Sequence, residues 1–316
     1  MIGSGAFSVV EDGGERHGRH CVVKVVPVSF CQTTQAQQFR RHIYRELIAL
    51  HALKGSPNII SLIDARYTPS TFRFYLEKLD LTLQSLINHA DFPISLPMIT
   101  HIAKNIAIAL DACGAMSIVH RDVKPGNILI SLTTGEVKLC DFGLAKRLSS
   151  QVDLSAPQSS DVGTMWYKPI EILLNTTLQS HAIDIWSLGC VIGEMHRLRP
   201  LFAGSVAIQQ LYLIQDCLGP ISTSECPTFE HECRDTNLIK FDDVRGLGLD
   251  ILLPDIHSDL LTIISKCLIY NPSRRISPSE ILSNLESLSL PQIDFISACR
   301  DIIDKSSLTL YKVSKT

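Results

Sequence analysis

The chain has 316 residues and a formal net charge of −3. This balance predicts no strong attraction to nucleic acid or to an anionic membrane surface, and no apolar run reaches the about 18 residues of a membrane span. The ten cysteines include no C-x-x-C pair, which argues against zinc and against a disulfide framework. We therefore expect no nucleic-acid or membrane partner, and reduced thiols in the cytoplasm and/or nucleus.

The chain starts with a glycine-rich segment, Ile2-Gly3-Ser4-Gly5, that continues to Val10. It follows the pattern G-x-G-x-x-G-x-V, with Ser8 in place of the third glycine. Glycines let backbone amides approach phosphate groups and tolerate positive φ angles. Taken alone, the segment favours a plain hairpin turn.

Residues 21–26 form an apolar, β-branched run that a single lysine, Lys24, interrupts. The composition predicts a strand. A lysine in the middle of such a strand either extends from a sheet edge or holds a phosphate. Because the glycine-rich segment precedes it, we favour the phosphate-binding role.

Residues 39–50 predict a helix. Their apolar positions recur at helical spacing: Phe39, Ile43, Leu47 and Leu50. Glu46 lies next to this apolar stripe and could be an ordinary solvated glutamate. A buried lysine, however, needs a carboxylate partner to stay charged, so we predict that Glu46 points inward and pairs with Lys24.

Further along, residues 72–76 predict a strand, and the apolar positions from Ile99 to Cys113 predict a helix. This helix leads directly into the most informative part of the chain. That part is the run His120-Arg121-Asp122-Val123-Lys124-Pro125-Gly126-Asn127, followed by Asp141-Phe142-Gly143.

The spacing of this run suits transfer of a phosphoryl group from Mg-ATP to a hydroxyl. Asp122 is placed to orient the attacking hydroxyl, and Lys124 could steady the transferred charge. Asn127 and Asp141 offer the hard oxygen ligands that Mg²⁺ prefers. Each motif alone could be an ordinary turn fragment, but the two in this order argue against that interpretation.

Later motifs complete a recognisable pattern. Thr164-Met165-Trp166-Tyr167-Lys168-Pro169-Ile170-Glu171 resembles T-x-W-Y-R-A-P-E, and residues 182–195 resemble A-x-D-x-W-S-x-G-C with a trailing E-M. Arg275 resembles the late arginine that pairs with Glu171. With the upstream motifs, residues 2–286 resemble a eukaryotic Ser/Thr protein kinase of the cyclin-dependent-kinase-like (CMGC) branch.

The resemblance implies an α+β, bilobal protein kinase fold with a small β-rich N-lobe and a larger α-helical C-lobe. The kinase domain would span residues 1–286, with an N-lobe at 1–77 and a C-lobe at 80–286. A C-terminal extension would follow at 289–316, with a helix around residues 293–303. Because Met1 lies directly before the glycine-rich segment, we expect a short first strand or an incomplete chain start.

ATP and Mg²⁺ are the cofactors that the resemblance implies. The catalytic residues would be Asp122, Lys124, Lys24 and Glu46, and the metal ligands Asn127 and Asp141. The nucleotide site would be formed by Ile2, Gly3, Ser4, Gly5, Val10, Val22, Lys24, Leu76, Glu77, Leu79 and Leu129. Leu76 would line the back of the adenine pocket, and backbone groups from Glu77 to Leu79 would bond adenine.

The resemblance also assigns supporting roles. Asp184 would brace the catalytic loop through its backbone. Arg121, Arg45 and Lys146 would hold a phosphate carried by Ser159 on the activation segment, although an unmodified polar loop is the alternative.

The regulatory segments depart from the branch. Residues 38–44 bear no resemblance to a cyclin-contact sequence, which makes cyclin binding doubtful. Lys168 and Gly163 replace residues that shape the pocket for a proline after the target hydroxyl, so proline-directed specificity stays open. These changes, and Lys240-Phe241, resemble the fungal single-subunit kinases that activate cyclin-dependent kinases. We expect a monomer with a protein substrate, for which a cyclin-dependent kinase is the candidate.

Two other function classes are considered. A non-catalytic kinase-fold scaffold, or regulator of another kinase, would predict loss of a residue such as Lys24, Asp122 or Asp141, and each is present. A small-molecule kinase shares the catalytic motifs, but the segment ending in Glu171, together with Arg275, argues against it. Lys124 matches the Ser/Thr type of catalytic loop rather than the tyrosine type.

Overall fold

The computed structural model describes residues 3–5, 8–27, 34–148, 165–174, 180–221 and 245–313, without the side chains of 3–5, 34–39 and 306–313. Several sequence-based predictions fall outside these limits. They concern Ile2, the side chains of Gly3, Ser4, Gly5 and Phe39, and residues Ser159, Gly163, Thr164 and Lys240-Phe241.

The N-terminal part of the chain forms an antiparallel sheet. Its strands are β1 (Gly3–Gly5), β2 (Ser8–Arg16), β3 (Arg19–Pro27), β4 (Leu62–Tyr67) and β5 (Thr71–Glu77), in the order β1-β2-β3-β5-β4. The one helix described in this part, α1 (Thr34–Ala52), lies between β3 and β4 in the chain. The β-branched runs at 21–26 and 72–76 thus form the paired strands that their composition predicts.

The register of the sheet sorts the β3 side chains between two faces. Val10 lies opposite Lys24, and Val22 lies opposite Leu76. Residues opposite one another in antiparallel strands share a face, as do residues two apart along a strand. These four predicted nucleotide-site residues therefore lie on one face of the sheet. Cys21, Val23 and Tyr75 form a separate apolar cluster.

Helix α1 turns its apolar stripe toward the protein. Ile43, Glu46 and Leu50 are buried, while Tyr44 and Ile48 are exposed. The helix packs against the turn Phe142–Leu144 that follows Asp141. The amphipathic pattern thus points Glu46 into the protein rather than to solvent.

The C-terminal part is mainly helical. After the short β6 (Leu81–Thr82) come α2 (Leu83–His89), α3 (Leu96–Ala115) and β7 (Ile118–Val119). A small sheet follows with β8 (Ile128–Ile130) and β9 (Val137–Leu139), and β10 (Lys146–Arg147) pairs with β7. Among the described residues the further helices are α4 (Ile170–Leu173), α5 (Ala182–Arg197), α6 (Ala207–Leu218), α7 (Leu249–Leu252), α8 (Ser258–Cys267), α9 (Pro278–Glu286) and α10 (Phe295–Val313).

A single large apolar core runs through both parts, from Phe74 in the sheet to Trp186 in α5. Helix α5 is buried on every side from Ile183 to Met195 and packs against α3 and α8. Because the N-terminal part is mainly sheet and the C-terminal part mainly helix, the predicted β-rich N-lobe and helical C-lobe are confirmed.

The predicted C-terminal helix is present as α10. It begins at Phe295 and packs on α2 and α3, with Phe295 and Cys299 buried. Arg300 also donates to the Leu132 carbonyl at 2.8 Å. None of the helices in the described ranges combines the length and hydropathy that crossing a bilayer requires.

Candidate active site

The catalytic run lies in a loop between two short strands, β7 and β8. Asp184, at the start of α5, accepts the backbone N–H of His120 at 2.7 Å and that of Arg121 at 2.8 Å. These bonds hold Arg121 at a φ of 67°, a left-handed conformation that is costly for a side chain with a Cβ. Asp184 therefore braces the loop through its backbone, as the sequence led us to expect.

His120 joins the catalytic loop to the segment before Asp141. The Asp122 N–H donates to His120 Nδ1 at 3.2 Å, so the ring proton lies on Nε2, which donates to the Cys140 carbonyl at 3.0 Å. The ring also meets Phe142 edge to face, with centroids 4.6 Å apart. Phe142 is fully buried, which fixes the turn that carries Asp141.

Asp122 accepts two side-chain hydrogen bonds on one oxygen. Lys124 Nζ and Asn127 Nδ2 each donate to Asp122 Oδ2 at 2.8 Å. Among the described residues no hydrogen bond to Asp122 Oδ1 is found, which leaves that oxygen able to accept from a hydroxyl. The geometry suits the predicted role of Asp122 as the group that orients the substrate.

The strand lysine and the helix glutamate form the ion pair that was predicted. Lys24 Nζ lies 2.8 Å and 2.9 Å from the Glu46 carboxylate oxygens and 2.8 Å from Asp141 Oδ1. Burial alone would lower the pKa of Lys24, but the charges of Glu46 and Asp141 outweigh it and raise that pKa. Lys24 is therefore charged and held in place.

The pKa values of the two carboxyl groups in this cluster shift in opposite directions. Burial raises the pKa of Glu46, and the neighbouring Lys24 only partly offsets this. For Asp141, burial is outweighed by the charge of Lys24 and its hydrogen bond, and the pKa falls to about 2. Asp141 also has a left-handed backbone at φ 61°. It is an anion throughout the physiological range.

Asn127 and Asp141 supply a donor set that fits Mg²⁺. Asn127 Nδ2 donates to the backbone carbonyl and Oδ2 of Asp122, so Asn127 Oδ1 remains as a hard oxygen ligand. The Asn127 carbonyl accepts from Cys140 N at 2.9 Å, which ties the two ligand segments together. No group of at least three His, Cys, Asp or Glu suited to a metal occurs in the described ranges. Nucleotide-bound Mg²⁺ needs only one or two protein carboxylates beside phosphates and water.

The predicted adenine residues come from three strands and the connection between the lobes. Val22 and Leu76 share the sheet face described above, and Leu129 lies in β8 of the C-lobe. Glu77 ends β5, and Leu79 follows in the connection. The Glu77 carboxylate is bound by Lys138 of β9, at 3.0 Å and 2.9 Å from the two oxygens. The Glu77 side chain is therefore engaged within the protein, and bonding of adenine to backbone groups from Glu77 to Leu79 stays a prediction.

A cationic cluster adjoins the catalytic loop. Burial and the neighbouring Arg45 lower the pKa of Arg121 to about 10, and burial with Arg41 lowers the pKa of Arg45. Burial, Arg45 and Arg121 also lower the pKa of His42. Arg121 Nε donates to the Leu144 carbonyl at 2.7 Å. Cations that repel one another in this way would be stabilised by a bound anion. Ser159, the residue predicted to carry the phosphate, lies outside the described residues.

Sequence reasoning missed two polar contacts near the site. One is the Lys138–Glu77 pair, and the other is buried Glu194, which accepts the Tyr167 hydroxyl at 2.7 Å. A lysine between the apolar Val137 and Leu139 was the available signal for the first. Glu194 lay within a recognised motif, yet nothing in the motif indicates its partner.

Comparison with known proteins agrees with this geometry. The family described as "Protein kinase domain" matches residues 1–285. Cyclin-dependent kinase 20 of Homo sapiens is 31% identical over 77% of this chain and 69% of its own length. Mitogen-activated protein kinase 15 of Xenopus laevis is 30% identical over 90% of this chain and 48% of its own length.

Cyclin-dependent kinase 7 of Dictyostelium discoideum is 29% identical over 90% of this chain and 77% of its own length. All three relatives belong to the CMGC branch. The chain belongs to the protein kinase family and is a cyclin-dependent-kinase-like Ser/Thr protein kinase.

Proposed function

We propose that this kinase acts as a single subunit in cell-cycle or transcription control. It transfers the γ-phosphoryl group of Mg-ATP to a Ser or Thr hydroxyl of another cyclin-dependent kinase, and so serves as an activating kinase. It works as a monomer without a cyclin, in the cytoplasm and/or nucleus.

The observation that supports this proposal is the Lys24–Glu46–Asp141 cluster. A kinase that waits for a partner to push in its helix would keep Glu46 away from Lys24. Here the Lys24 and Glu46 side chains are only 14% and 5% exposed, and they are in contact within one chain. Breaking such a buried pair leaves an uncompensated charge, which is strongly unfavourable. Helix α1 thus has an internal reason to stay in its inward position.

The chain's own groups account for the chemistry. Asp122 Oδ1 accepts from the substrate hydroxyl and orients its oxygen toward the phosphorus. Lys124 and Lys24 stabilise negative charge on the transferred and non-transferred phosphates. Asn127 and Asp141 would hold Mg²⁺, which when bound would neutralise charge on the phosphate oxygens. The assembled site therefore needs no group from a second subunit.

A phosphorylation assay tests the proposal. The purified chain with Mg-ATP is given a catalytically inactive cyclin-dependent kinase, or myelin basic protein, with and without a cyclin. We expect labelling of both substrates without cyclin. Asp122→Asn should lower the rate by roughly 10²–10⁴-fold, whereas Asp111→Asn, an exposed α3 carboxylate, should not.

A different result would contradict each part of the proposal. Labelling that persists in Asp122→Asn would remove the assigned role of Asp122. Labelling that needs added cyclin would contradict single-subunit action. Labelling of myelin basic protein but never of the inactive kinase would contradict the activating role alone.

A further inference from the structure

The two lobes are connected by the short segment from Glu77, at the end of β5, to Asp80, just before β6. Hydrogen bonds of the Asp80 backbone and side chain hold the C-lobe end of this segment. The Asp80 N–H donates to the Ile130 carbonyl of β8 at 3.1 Å, and Asp80 Oδ2 accepts the Leu132 N–H at 2.6 Å. These contacts fix one end of the short segment to which adenine is expected to bind.

The other end of the segment is held by the Glu77 side chain. Glu77 Oε1 accepts the Ser61 N–H at 2.7 Å, and Lys138 Nζ of β9 lies within 3.0 Å of both Glu77 oxygens. The Glu77 N–H in turn donates to the Ser61 carbonyl at 3.1 Å. The Lys138 and Glu77 side chains are only 12% and 22% exposed, so solvent screens this pair less than a surface pair.

Residues 58–61, which lead from α1 to β4, meet β9 at the same place. Leu139 N donates to the Asn58 carbonyl at 2.8 Å, and Ile60 N donates to the Leu139 carbonyl at 3.0 Å. Asn58 Nδ2 also donates to the Val137 carbonyl at 2.9 Å. Lys138 therefore lies where the exit of α1, the end of β5 and the C-lobe sheet come together.

We propose that Lys138 is a positioning residue for nucleotide binding, which holds Glu77 against β9 and so fixes the backbone of residues 77–79 in its adenine-binding geometry. This inference rests on the proposed use of ATP. Lys138 contacts the side chain of Glu77 and does not touch the atoms that react. Its loss should therefore weaken nucleotide binding and leave the chemical step intact.

The physical reason is the conformational entropy that residues 77–79 lose when a nucleotide binds them. Without Lys138 the segment keeps its anchor at Asp80, while the Glu77 carboxylate keeps only its bond from the Ser61 N–H and is held less firmly. A nucleotide that bonds backbone groups must then remove this freedom on binding, which subtracts from its affinity. Once the nucleotide is bound, Asp122, Lys124 and Asp141 have the same positions as before, so kcat is preserved.

The chain supplies an internal control for loss of charge. Lys138 Nζ also lies 3.6 Å from Glu136 Oε1, but the Glu136 side chain is 53% exposed and is outside the connection between the lobes. Exposed pairs of this kind contribute little. Glu136→Gln therefore removes a carboxylate from the same lysine without releasing residues 77–79.

The test compares nucleotide affinity with turnover. For Lys138→Met we expect KM for ATP, and the Kd for MgADP measured by calorimetry, to rise by roughly three- to tenfold, a range set by typical coupling energies of contacting groups. The kcat on myelin basic protein should stay within about twofold. Lys138→Arg should recover most of the affinity, and Glu136→Gln should match the wild type.

Glu77→Gln keeps an oxygen for Ser61 but weakens the ion pair, so it should raise Kd in the same way and provides the test if Lys138→Met does not fold. The double variant should bind MgADP no more weakly than the weaker single variant. An unchanged Kd with only a lower melting temperature, or a fall in kcat at constant KM, would overturn the inference. Failure of the wild type to label protein while it binds MgADP would instead count against the proposed function.

Discussion

Arg275 forms a bidentate ion pair with Glu171 across 104 positions of the chain, and both side chains are buried. The Nη1–Oε1 and Nη2–Oε2 distances are 2.6 Å and 2.8 Å. The guanidinium also donates to the carbonyls of Ala182, Ile269 and Tyr270. Every guanidinium nitrogen thus has an acceptor, which is the condition under which a buried charge is tolerated.

Removal of the arginine should be severe because Glu171 would stay buried without its partner. We expect Arg275→Ala to lower the free energy of unfolding by about 3–5 kcal/mol, measured by urea denaturation. Arg274→Ala removes the exposed neighbouring arginine and should change it by less than about 0.5 kcal/mol. Similar losses for the two variants would show that the ion pair does not set the stability of this region.

The catalytic loop should depend on both oxygens of Asp184. Asn at this position offers one oxygen and one NH₂ group, so one of the His120 and Arg121 amides would face a donor. Because this frees the strained Arg121 backbone, we expect Asp184→Asn to lower kcat by roughly 10²-fold with KM for ATP nearly unchanged. Steady-state kinetics checks this.

The matched control for that variant is Asp216→Asn, which alters an exposed carboxylate on α6. It should leave kcat at the wild-type value. A normal kcat in Asp184→Asn would mean that the catalytic loop keeps its shape without this brace.

Glu194 should make stability depend on pH in an unusual direction. Burial raises the pKa of its carboxyl to about 7, although hydrogen bonds from Tyr167 and Gln84 oppose the rise. The folded state then binds the Glu194 proton more tightly than the unfolded state, whose pKa is about 4.3. This contribution to the free energy of unfolding is therefore favourable at low pH and is lost as pH rises from about 4.3 to about 7.

Glu194→Gln keeps an oxygen for the Tyr167 hydroxyl and removes the titration. At about pH 8 the variant should be more stable than the wild type by up to roughly 4 kcal/mol, and the difference should shrink toward pH 5. Urea denaturation at several pH values measures it. Glu286→Gln, an exposed carboxylate on α9, should show no such trend. A constant difference between Glu194→Gln and the wild type would contradict the raised pKa.

The sequence predicted the ion pairs that belong to recognisable motifs. Glu46 follows from an apolar stripe and a strand lysine that needs a partner, and Arg275 from the resemblance. Lys138 could not be paired in advance, because β9 indicates only which face its side chain takes. Its contact with Glu77, 61 positions away, depends on how β5 and β9 meet. Burial of Glu194 likewise depends on α5 being covered on all sides, which no periodicity indicates.

Close packing between α5 and α8 gives a further prediction at Gly189. A Cβ at this position would lie 2.6 Å from the Cys267 Cβ and 3.3 Å from Leu268 Cδ2. Since α5 is held on every side, neither helix can move away freely. We expect Gly189→Ala to lower the free energy of unfolding by about 1–3 kcal/mol through overpacking.

Gly114 provides the opposite case within a helix. It lies near the end of α3, and an added Cβ would meet nothing within 4 Å. Gly114→Ala should therefore stabilise the fold by roughly 0.5 kcal/mol, because alanine loses less backbone entropy than glycine in a helix. Urea denaturation of both variants gives the comparison. If Gly189→Ala stabilised the protein as Gly114→Ala does, the α5–α8 contact would have to be looser than the 2.6 Å approach indicates.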